Sequence, residues 1–241
     1  MNKFLSGAKQ IIVSSENLIR DSKVLQQFKE KCRVIPFGID ANYLKATPAQ
    51  EELKIKIQKK FGENNILFIG RLVKYKGLNH LISAMTEVSG NLLIIGGGPE
   101  RLPLEKLVAQ LGLSDKVHFI GFVPEEEIGA YCLASKAMAL TSINESEAFG
   151  MSLLDGLAMG LPLLTTSLPT GVNIVNIDGQ TGYQVPVGDV KAISRQLNTL
   201  LKDDSLRARL GASGKLHFQK NFQLTTMVQA HMDLYRKILA K

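Results

Sequence analysis

The chain has 241 residues, of which 45% are hydrophobic, so it can bury a core large enough for one sizeable domain or two small ones. Its formal net charge of +7 favours an anionic partner, but charge alone does not choose between nucleic acid, an acidic membrane surface and a phosphorylated small molecule. No apolar run has the length of a membrane span, and two distant cysteines argue against a disulfide framework or a zinc cluster, which favours a reducing cytoplasm.

Short apolar runs alternate with longer amphipathic stretches along the chain. The runs predict strands at 11–13, 66–69, 92–95, 117–120, 137–141 and 162–165, and the stretches predict helices at 78–88, 100–111, 125–133 and 151–159. Because the strands are short and apolar on both faces, they indicate a parallel sheet covered by helices on both sides. We therefore predict an α/β fold with a single Rossmann-like, doubly wound parallel sheet.

The two ends of the chain lie outside this alternation. Residues 1–40 hold only two brief apolar runs, too few for a separate domain, so we interpret them as the edge of something larger and a linker. Residues 41–220 form the predicted sheet domain, and residues 221–241 a C-terminal helix. Within the domain, the lysine-rich segment 46–60 indicates a solvated helix or linker, with an anion or membrane patch as the alternative.

Two cations follow the predicted strand at 66–69. Arg71 lies at its carboxyl end, and Lys76 comes five residues later, just before a helix. Ligands of open α/β sheets bind beyond the carboxyl ends of the strands, and an arginine with a lysine there suits a pyrophosphate. The alternative is that both cations are solvated surface residues.

A glycine-rich turn follows the next strand, in the sequence IIGGGPER. A dinucleotide fingerprint needs glycine at three set positions; Gly96 and Gly98 fit, but Arg101 occupies the third. A hydride-transferring Rossmann enzyme is therefore disfavoured. A tight turn, or a wall for a nucleotide, accounts for these glycines.

The segment NESEAFGMSLLDGLAMGLP follows the strand at 137–141 and carries the main site hypothesis. A helix beginning near Phe149 or Gly150 would leave the N–H groups of Gly150, Met151 and Ser152 free to bind phosphate. Asp155 would then lie one and a half turns into an apolar helix, where a carboxylate is costly unless something such as a ribose diol binds it. In the alternative, Glu147 caps the helix and Asp155 favours its positive end without any ligand.

These residues resemble the C-terminal domains of the retaining glycosyltransferases of family 4, within the GT-B fold. Those domains carry an acidic residue, seven others and a second acidic residue in a sequence like EGFGLVLLEAMA, here Glu147 to Asp155. Further matches occur along almost the whole chain, in the order found in the family: VIPFGID, GRLVKYKG, IIGGGPER, VHFIGFVP and TGYQVPVGD. The resemblance implies the donor-binding half of a two-domain enzyme, whose N-terminal half would precede this sequence.

Carried over to these positions, the resemblance implies that Arg71 and Lys76 bind the donor diphosphate and that Glu147 contacts the sugar, these three being the catalytic candidates. Ribose would be bound by the second acidic residue, here Asp155 rather than the usual glutamate, so that contact becomes longer or water-mediated. The remaining donor-binding candidates are the residues of the base loop and of the helix start: Gly121, Phe122, Val123, Phe149, Gly150, Met151 and Ser152.

The implied reaction transfers a sugar from a UDP- or GDP-sugar to an acceptor hydroxyl with retained configuration, in polysaccharide or lipopolysaccharide biosynthesis. The family needs no metal or other cofactor, and the four histidines here lack the spacing of metal ligands. The acceptor, a saccharide or lipid-linked saccharide, would bind through the N-terminal domain, and no nucleic acid is expected. The implied location is cytoplasmic, with peripheral attachment at the inner face of the cell membrane as a variant of it.

Two other hypotheses remain open from the sequence. The chain could be a catalytically silent nucleotide-sugar-binding module that works with a separate N-terminal domain or partner chain. It could also belong to another GT-B enzyme, such as an epimerase or a phosphorylase.

Overall fold

The computed structural model describes residues 2–240. Its strands are β1 (Ile11–Val13), β2 (Cys32–Val34), β3 (Asn65–Ile69), β4 (Asn91–Ile95), β5 (Val117–Gly121), β6 (Ala137–Leu140), β7 (Leu163–Thr166) and β8 (Gly182–Val185). Its helices are α1 (Asn2–Gly7), α2 (Glu16–Asp21), α3 (Lys23–Gln26), α4 (Pro48–Phe61), α5 (Leu78–Ala84), α6 (Arg101–Gln110), α7 (Glu125–Leu133), α8 (Leu153–Met159), α9 (Val172–Val175), α10 (Val190–Lys202), α11 (Asp204–Asn221) and α12 (Leu224–Leu239). Short 3-10 helices span Lys29–Lys31, Ala41–Leu44 and Lys74–Lys76.

Six strands form one parallel sheet in the order β5-β4-β3-β6-β7-β8. Central strands such as β4 and β6 are buried on both faces, because helices cover the sheet on each side. The strand order reverses between β3 and β6, and this switch point is where open α/β sheets bind their ligands. The predicted doubly wound fold is confirmed.

The edge strand β8 was not predicted from the sequence. Its four residues, GYQV, begin with glycine and have two half-buried members, so they lack the continuous apolar run of the central strands. An edge strand packs against a single neighbour, here β7, and needs less apolar surface.

The strands of residues 2–40 do not join the large sheet. β1 and β2 pair in parallel as a separate two-stranded sheet with its own small apolar cluster, made by Ile11, Val13, Ile19 and Cys32. The division of the chain at residues 40 and 220 stays a prediction.

The C-terminal helices hold α8 in place beneath the switch point. α11 packs closely on α8, where a Cβ on Gly211 would lie 2.1 Å from the carbonyl oxygen of Gly160, so only glycine permits this approach. Asp189 and Asp203 cap α10 and α11 by accepting hydrogen bonds from backbone N–H groups. The last helix, α12, spans Leu224–Leu239 and lies within the predicted range 221–241. Between residues 2 and 240, no helix combines the length and the apolar character that crossing a membrane requires.

Candidate functional site

A buried ion pair lies at the switch point of the sheet. Lys76 ends the 3-10 helix that follows β3, and Glu147 lies in the loop that follows β6. The Lys76 Nζ is 2.5 Å from the Glu147 Oε2, and the two residues are only 9% and 6% exposed. Burying both charges costs free energy that their attraction offsets only with good geometry and further hydrogen bonds.

A third group completes the pairing of Glu147. The Ser142 hydroxyl donates to the same carboxylate oxygen, Oε2, at 2.8 Å, and the Thr166 hydroxyl donates to the carbonyl oxygen of Ser142. The other carboxylate oxygen, Oε1, has no hydrogen-bond partner within the described part of the chain. Glu147 therefore has one anchored oxygen and one free oxygen.

The loops after β3 and β6 are held together by their backbones. Gly77 has a left-handed conformation with φ +63°, and a Cβ there would lie 2.1 Å from the carbonyl oxygen of Thr141. The Thr141 hydroxyl donates to the Gly77 carbonyl at 3.1 Å, and the Ile143 N–H donates to the Tyr75 carbonyl at 2.8 Å. This close approach places Lys76 against Glu147.

Arg71 is exposed at the start of the loop after β3 and makes no side-chain hydrogen bond or ion pair within residues 2–240. The glycine turn after β4 supports the backbone of this loop. A Cβ on Gly96 would lie 2.1 Å from the Gly70 carbonyl oxygen, and the Leu72 N–H donates to the Gly97 carbonyl at 2.9 Å. The glycines of IIGGGPER thus permit close backbone packing next to Arg71.

The start of α8 differs from the prediction. The helix begins at Leu153 rather than near Phe149 or Gly150, because Gly150 has φ +79°, outside the right-handed helical region. The N–H groups of Gly150, Met151 and Ser152 nevertheless have no acceptor among residues 2–240. They remain able to bind an anion.

Asp155 lies in the first turn of α8, not one and a half turns into it as predicted. The Tyr43 hydroxyl donates to its Oδ1 at 2.5 Å. Burial raises the pKa of Asp155 to about 6; the hydrogen bond from Tyr43 opposes this shift, and the charge of Glu125 adds to it. Burial, followed by the charge of Asp155, also raises the pKa of Tyr43.

Sequence reasoning missed Tyr43 as the partner of this carboxylate. The tyrosine lies in the 3-10 helix Ala41–Leu44, 112 positions before Asp155, and belongs to no motif with it. The one available signal was the isolated carboxylate in an apolar helix, which requires a hydrogen-bond donor from somewhere.

The side chains of the remaining predicted donor residues point to different surroundings. The Phe149 ring is buried and packs edge-on against Phe37, with 5.2 Å between centroids, so the ring is part of the apolar packing. Phe122 is 89% exposed, whereas the neighbouring Val123 is buried and Gly121 ends β5 with φ +87°. Phe122 is therefore the member of this loop free to contact a ligand.

Residues 49–217 match the family described as glycosyl transferases group 1. The chain belongs to this family. It is 34% identical over 223 residues to the D-rhamnosyltransferase WbpZ of Pseudomonas aeruginosa, covering 92% of this chain and 58% of that protein. It is 29% identical over 237 residues to the O-antigen chain mannosyltransferase C of Escherichia coli, covering 98% of this chain and 63% of that protein.

The fold agrees with that of solved structures. The crystal structure of Anabaena Alr3699/HepE in complex with UDP-glucose superimposes with a TM-score of 0.84 at 22% identity, covering 95% of this chain and 64% of that one. The chain thus spans about three fifths of the length of the relatives that it matches. It is a glycosyltransferase group 1 domain of the GT-B type.

Proposed function

We propose that this chain is the donor-binding half of a retaining glycosyltransferase of family 4, which takes a UDP- or GDP-sugar and transfers the sugar to an acceptor hydroxyl. The observation that carries the proposal is the buried contact between Lys76 and Glu147 at the switch point of the sheet. A fold that buries two charges at its ligand edge, beside unpaired backbone N–H groups, is arranged to meet a polar, anionic ligand.

Each group has a role that suits its surroundings. The Lys76 ammonium and the exposed Arg71 guanidinium bind the diphosphate, together with the N–H groups of Gly150, Met151 and Ser152. The free Oε1 of Glu147 accepts a hydrogen bond from a sugar hydroxyl. Asp155 binds the ribose through its Oδ2, because Tyr43 already occupies Oδ1.

The chemistry is electrostatic. The bond between the anomeric carbon and the diphosphate oxygen breaks, positive charge develops on the sugar ring, and negative charge develops on the leaving diphosphate. Lys76, Arg71 and the N–H groups stabilise that leaving charge, since donors fixed in advance need no reorganisation during the reaction. The acceptor oxygen forms the new bond on the same face, and its proton leaves with the diphosphate.

The acceptor and the pathway are proposed by similarity. Relatives of this chain include an O-antigen chain mannosyltransferase and a D-rhamnosyltransferase, so we propose a saccharide or lipid-linked saccharide acceptor in surface polysaccharide or lipopolysaccharide biosynthesis. Cytoplasmic location, with peripheral attachment to the membrane, is part of this proposal. Because the chain spans about three fifths of its relatives, we expect it to bind the donor but to show negligible turnover alone.

Calorimetric titration of the chain with UDP, GDP, uridine and guanosine tests the donor site. We expect one diphosphate to bind at least about tenfold more tightly than its nucleoside, since each charge-assisted hydrogen bond to phosphate adds roughly 1.5–3 kcal/mol. Lys76→Ala should weaken diphosphate binding far more than nucleoside binding, although Arg71 and the backbone N–H groups still contact the diphosphate. Equal losses for diphosphate and nucleoside would remove Lys76 from the diphosphate site.

Turnover tests the enzyme assignment. In a protein completed with an N-terminal half, Glu147→Gln should lower turnover strongly with folding intact, and unchanged turnover would refute its role. Robust transfer by the 241-residue chain alone would contradict the proposal that this chain binds the donor but needs an N-terminal half for turnover.

A further inference from the structure

We propose that Ser142 is a positioning residue for Glu147, and that Thr166 positions Ser142 in turn. Together they fix the Oε2 of the carboxylate so that Oε1 stays directed at the donor sugar. This inference rests on the proposed function, and it concerns which atom of Glu147 meets the substrate.

The geometry shows a chain of hydrogen bonds that ends on one oxygen. Thr166, at the carboxyl end of β7, donates to the carbonyl of Ser142; Ser142, just after β6, donates to Oε2 of Glu147 at 2.8 Å. Thr166, Ser142 and Glu147 are all buried. Because Thr166 ends β7 and Ser142 follows the adjacent strand β6, the two hydroxyls tie Glu147 to the sheet. Two donors on the same oxygen restrict rotation of the carboxylate, because turning it would break both bonds.

Lys76 alone could not perform this task during binding. The Lys76 ammonium is attracted to both Glu147 and a bound diphosphate. Because the diphosphate draws the ammonium toward itself, the contact between Lys76 and the carboxylate weakens when the diphosphate binds. A buried carboxylate that loses its partner is strongly destabilised. The Ser142 hydroxyl remains on Oε2 and keeps the carboxylate in place, while Oε1 receives the sugar hydroxyl.

This arrangement predicts a specific loss. Without the Ser142 hydroxyl, the Glu147 carboxylate rotates more freely, so the sugar hydroxyl donates to a poorly fixed oxygen. The diphosphate contacts of Lys76 and Arg71 are unchanged. The affected quantity is therefore the gain in affinity on going from a nucleoside diphosphate to its sugar conjugate.

The experiment measures the dissociation constants of UDP, UDP-glucose, GDP and GDP-mannose for the 241-residue chain by calorimetry. We expect the sugar conjugate of the preferred base to bind more tightly than the diphosphate. In Ser142→Ala this ratio should fall by about tenfold, the size expected for one hydrogen bond to a charged group. Thr166→Val should lower it less, since Thr166 acts through Ser142, and Ser142→Thr should restore it.

Ser135→Ala is the matched control, because Ser135 is also buried and its hydroxyl donates to a backbone carbonyl, that of Tyr131, at 2.8 Å. A merely structural effect lowers the melting temperature in both variants and leaves the affinity ratio as in the wild type. An unchanged ratio in Ser142→Ala overturns the positioning role and leaves the donor site standing. Should Ser142→Ala fail to fold, the ratio in Thr166→Val decides. If the wild-type chain binds none of the four ligands, the result contradicts both the proposed function and the positioning role.

Discussion

The two carboxylates of the acidic motif lie eight positions apart and are stabilised in different ways. Glu147 accepts hydrogen bonds from an ammonium and a hydroxyl on one oxygen, at the switch point of the sheet. Within residues 2–240 no cation pairs with Asp155; the phenol of Tyr43 donates to one of its oxygens, and burial raises the pKa of Asp155 to about 6. The first carboxylate is paired as an ion, whereas the second is held where its charge depends on pH near neutrality.

Under the proposed function, this difference suits the two carboxylates to two different roles. A carboxylate that must contact the reacting sugar needs a fixed position, which a buried ion pair and a rigid sheet supply. A carboxylate that binds a ribose diol needs only one free oxygen, and an uncharged partner such as Tyr43 can occupy the other. The following changes test this contrast, from the largest expected effect on stability to the smallest.

Lys76→Ala should have the largest effect on the free energy of unfolding. It leaves the Glu147 carboxylate buried without a cation, which costs about 3–5 kcal/mol. Chemical denaturation measures the loss. The control is Lys56→Ala, since Lys56 pairs with Glu52 at 2.7 Å on the surface and such pairs contribute about 0–1 kcal/mol.

The double change Lys76→Met with Glu147→Leu sharpens this result. It removes both charges and should recover most of the stability, because apolar residues can replace a buried ion pair without loss. Binding of a nucleoside diphosphate should not recover. Equal destabilisation by Lys76→Ala and Lys56→Ala would show that the pair at the switch point is solvated like a surface pair.

Gly77→Ala should have the next largest effect. Alanine in a left-handed conformation costs about 1–2 kcal/mol, and here its Cβ would also meet the Thr141 carbonyl and separate the two loops that carry the ion pair. Gly112→Ala is the matched control, since Gly112 has a similar φ of +67° and nothing within 4 Å of a built Cβ. We expect Gly77→Ala to lose clearly more stability than Gly112→Ala, by thermal unfolding, and similar losses would mean that the loops can part at little cost.

The sequence predicted the parts of this site that follow from strand position. Arg71, Lys76 and Glu147 could be placed at one edge because buried apolar runs precede them and parallel strands end on the same side. The first residue of α8 could not be predicted, since it depends on the left-handed backbone of Gly150. Nor could the contact between Tyr43 and Asp155, which is a tertiary contact without a local pattern.

Asp155→Asn tests the pH-dependent half of the contrast. The pKa of Asp155 in the folded chain is about 6, above its usual value near 3.9, so the folded state holds this proton more tightly than the unfolded state. The stability that Asp155 contributes is therefore full below pH of about 4 and is lost as the pH rises through about 6. Denaturation between pH 4 and 8 should show this fall in the wild type and a flatter profile in Asp155→Asn.

Tyr43→Phe refines the same measurement. The hydrogen bond from Tyr43 lowers the pKa of Asp155, so its removal should move the fall in stability to higher pH. Identical profiles for the wild type, Asp155→Asn and Tyr43→Phe would show that Asp155 is solvated and titrates as an ordinary carboxyl.

Arg71→Ala should change the free energy of unfolding least, by no more than about 0.5 kcal/mol, because surface changes away from packed or paired groups have little effect. Arg71 has no hydrogen-bond or ion-pair partner within residues 2–240, so the fold does not depend on it. The proposed role of Arg71 is only to bind the diphosphate of the ligand. Calorimetry should therefore show a loss of about tenfold in nucleoside diphosphate affinity, as for one charge-assisted contact. Arg195→Ala, which removes another exposed guanidinium on α10, should leave that affinity unchanged. If both variants weaken binding equally, the effect is one of net charge, and Lys76 would then be the cation that defines the site.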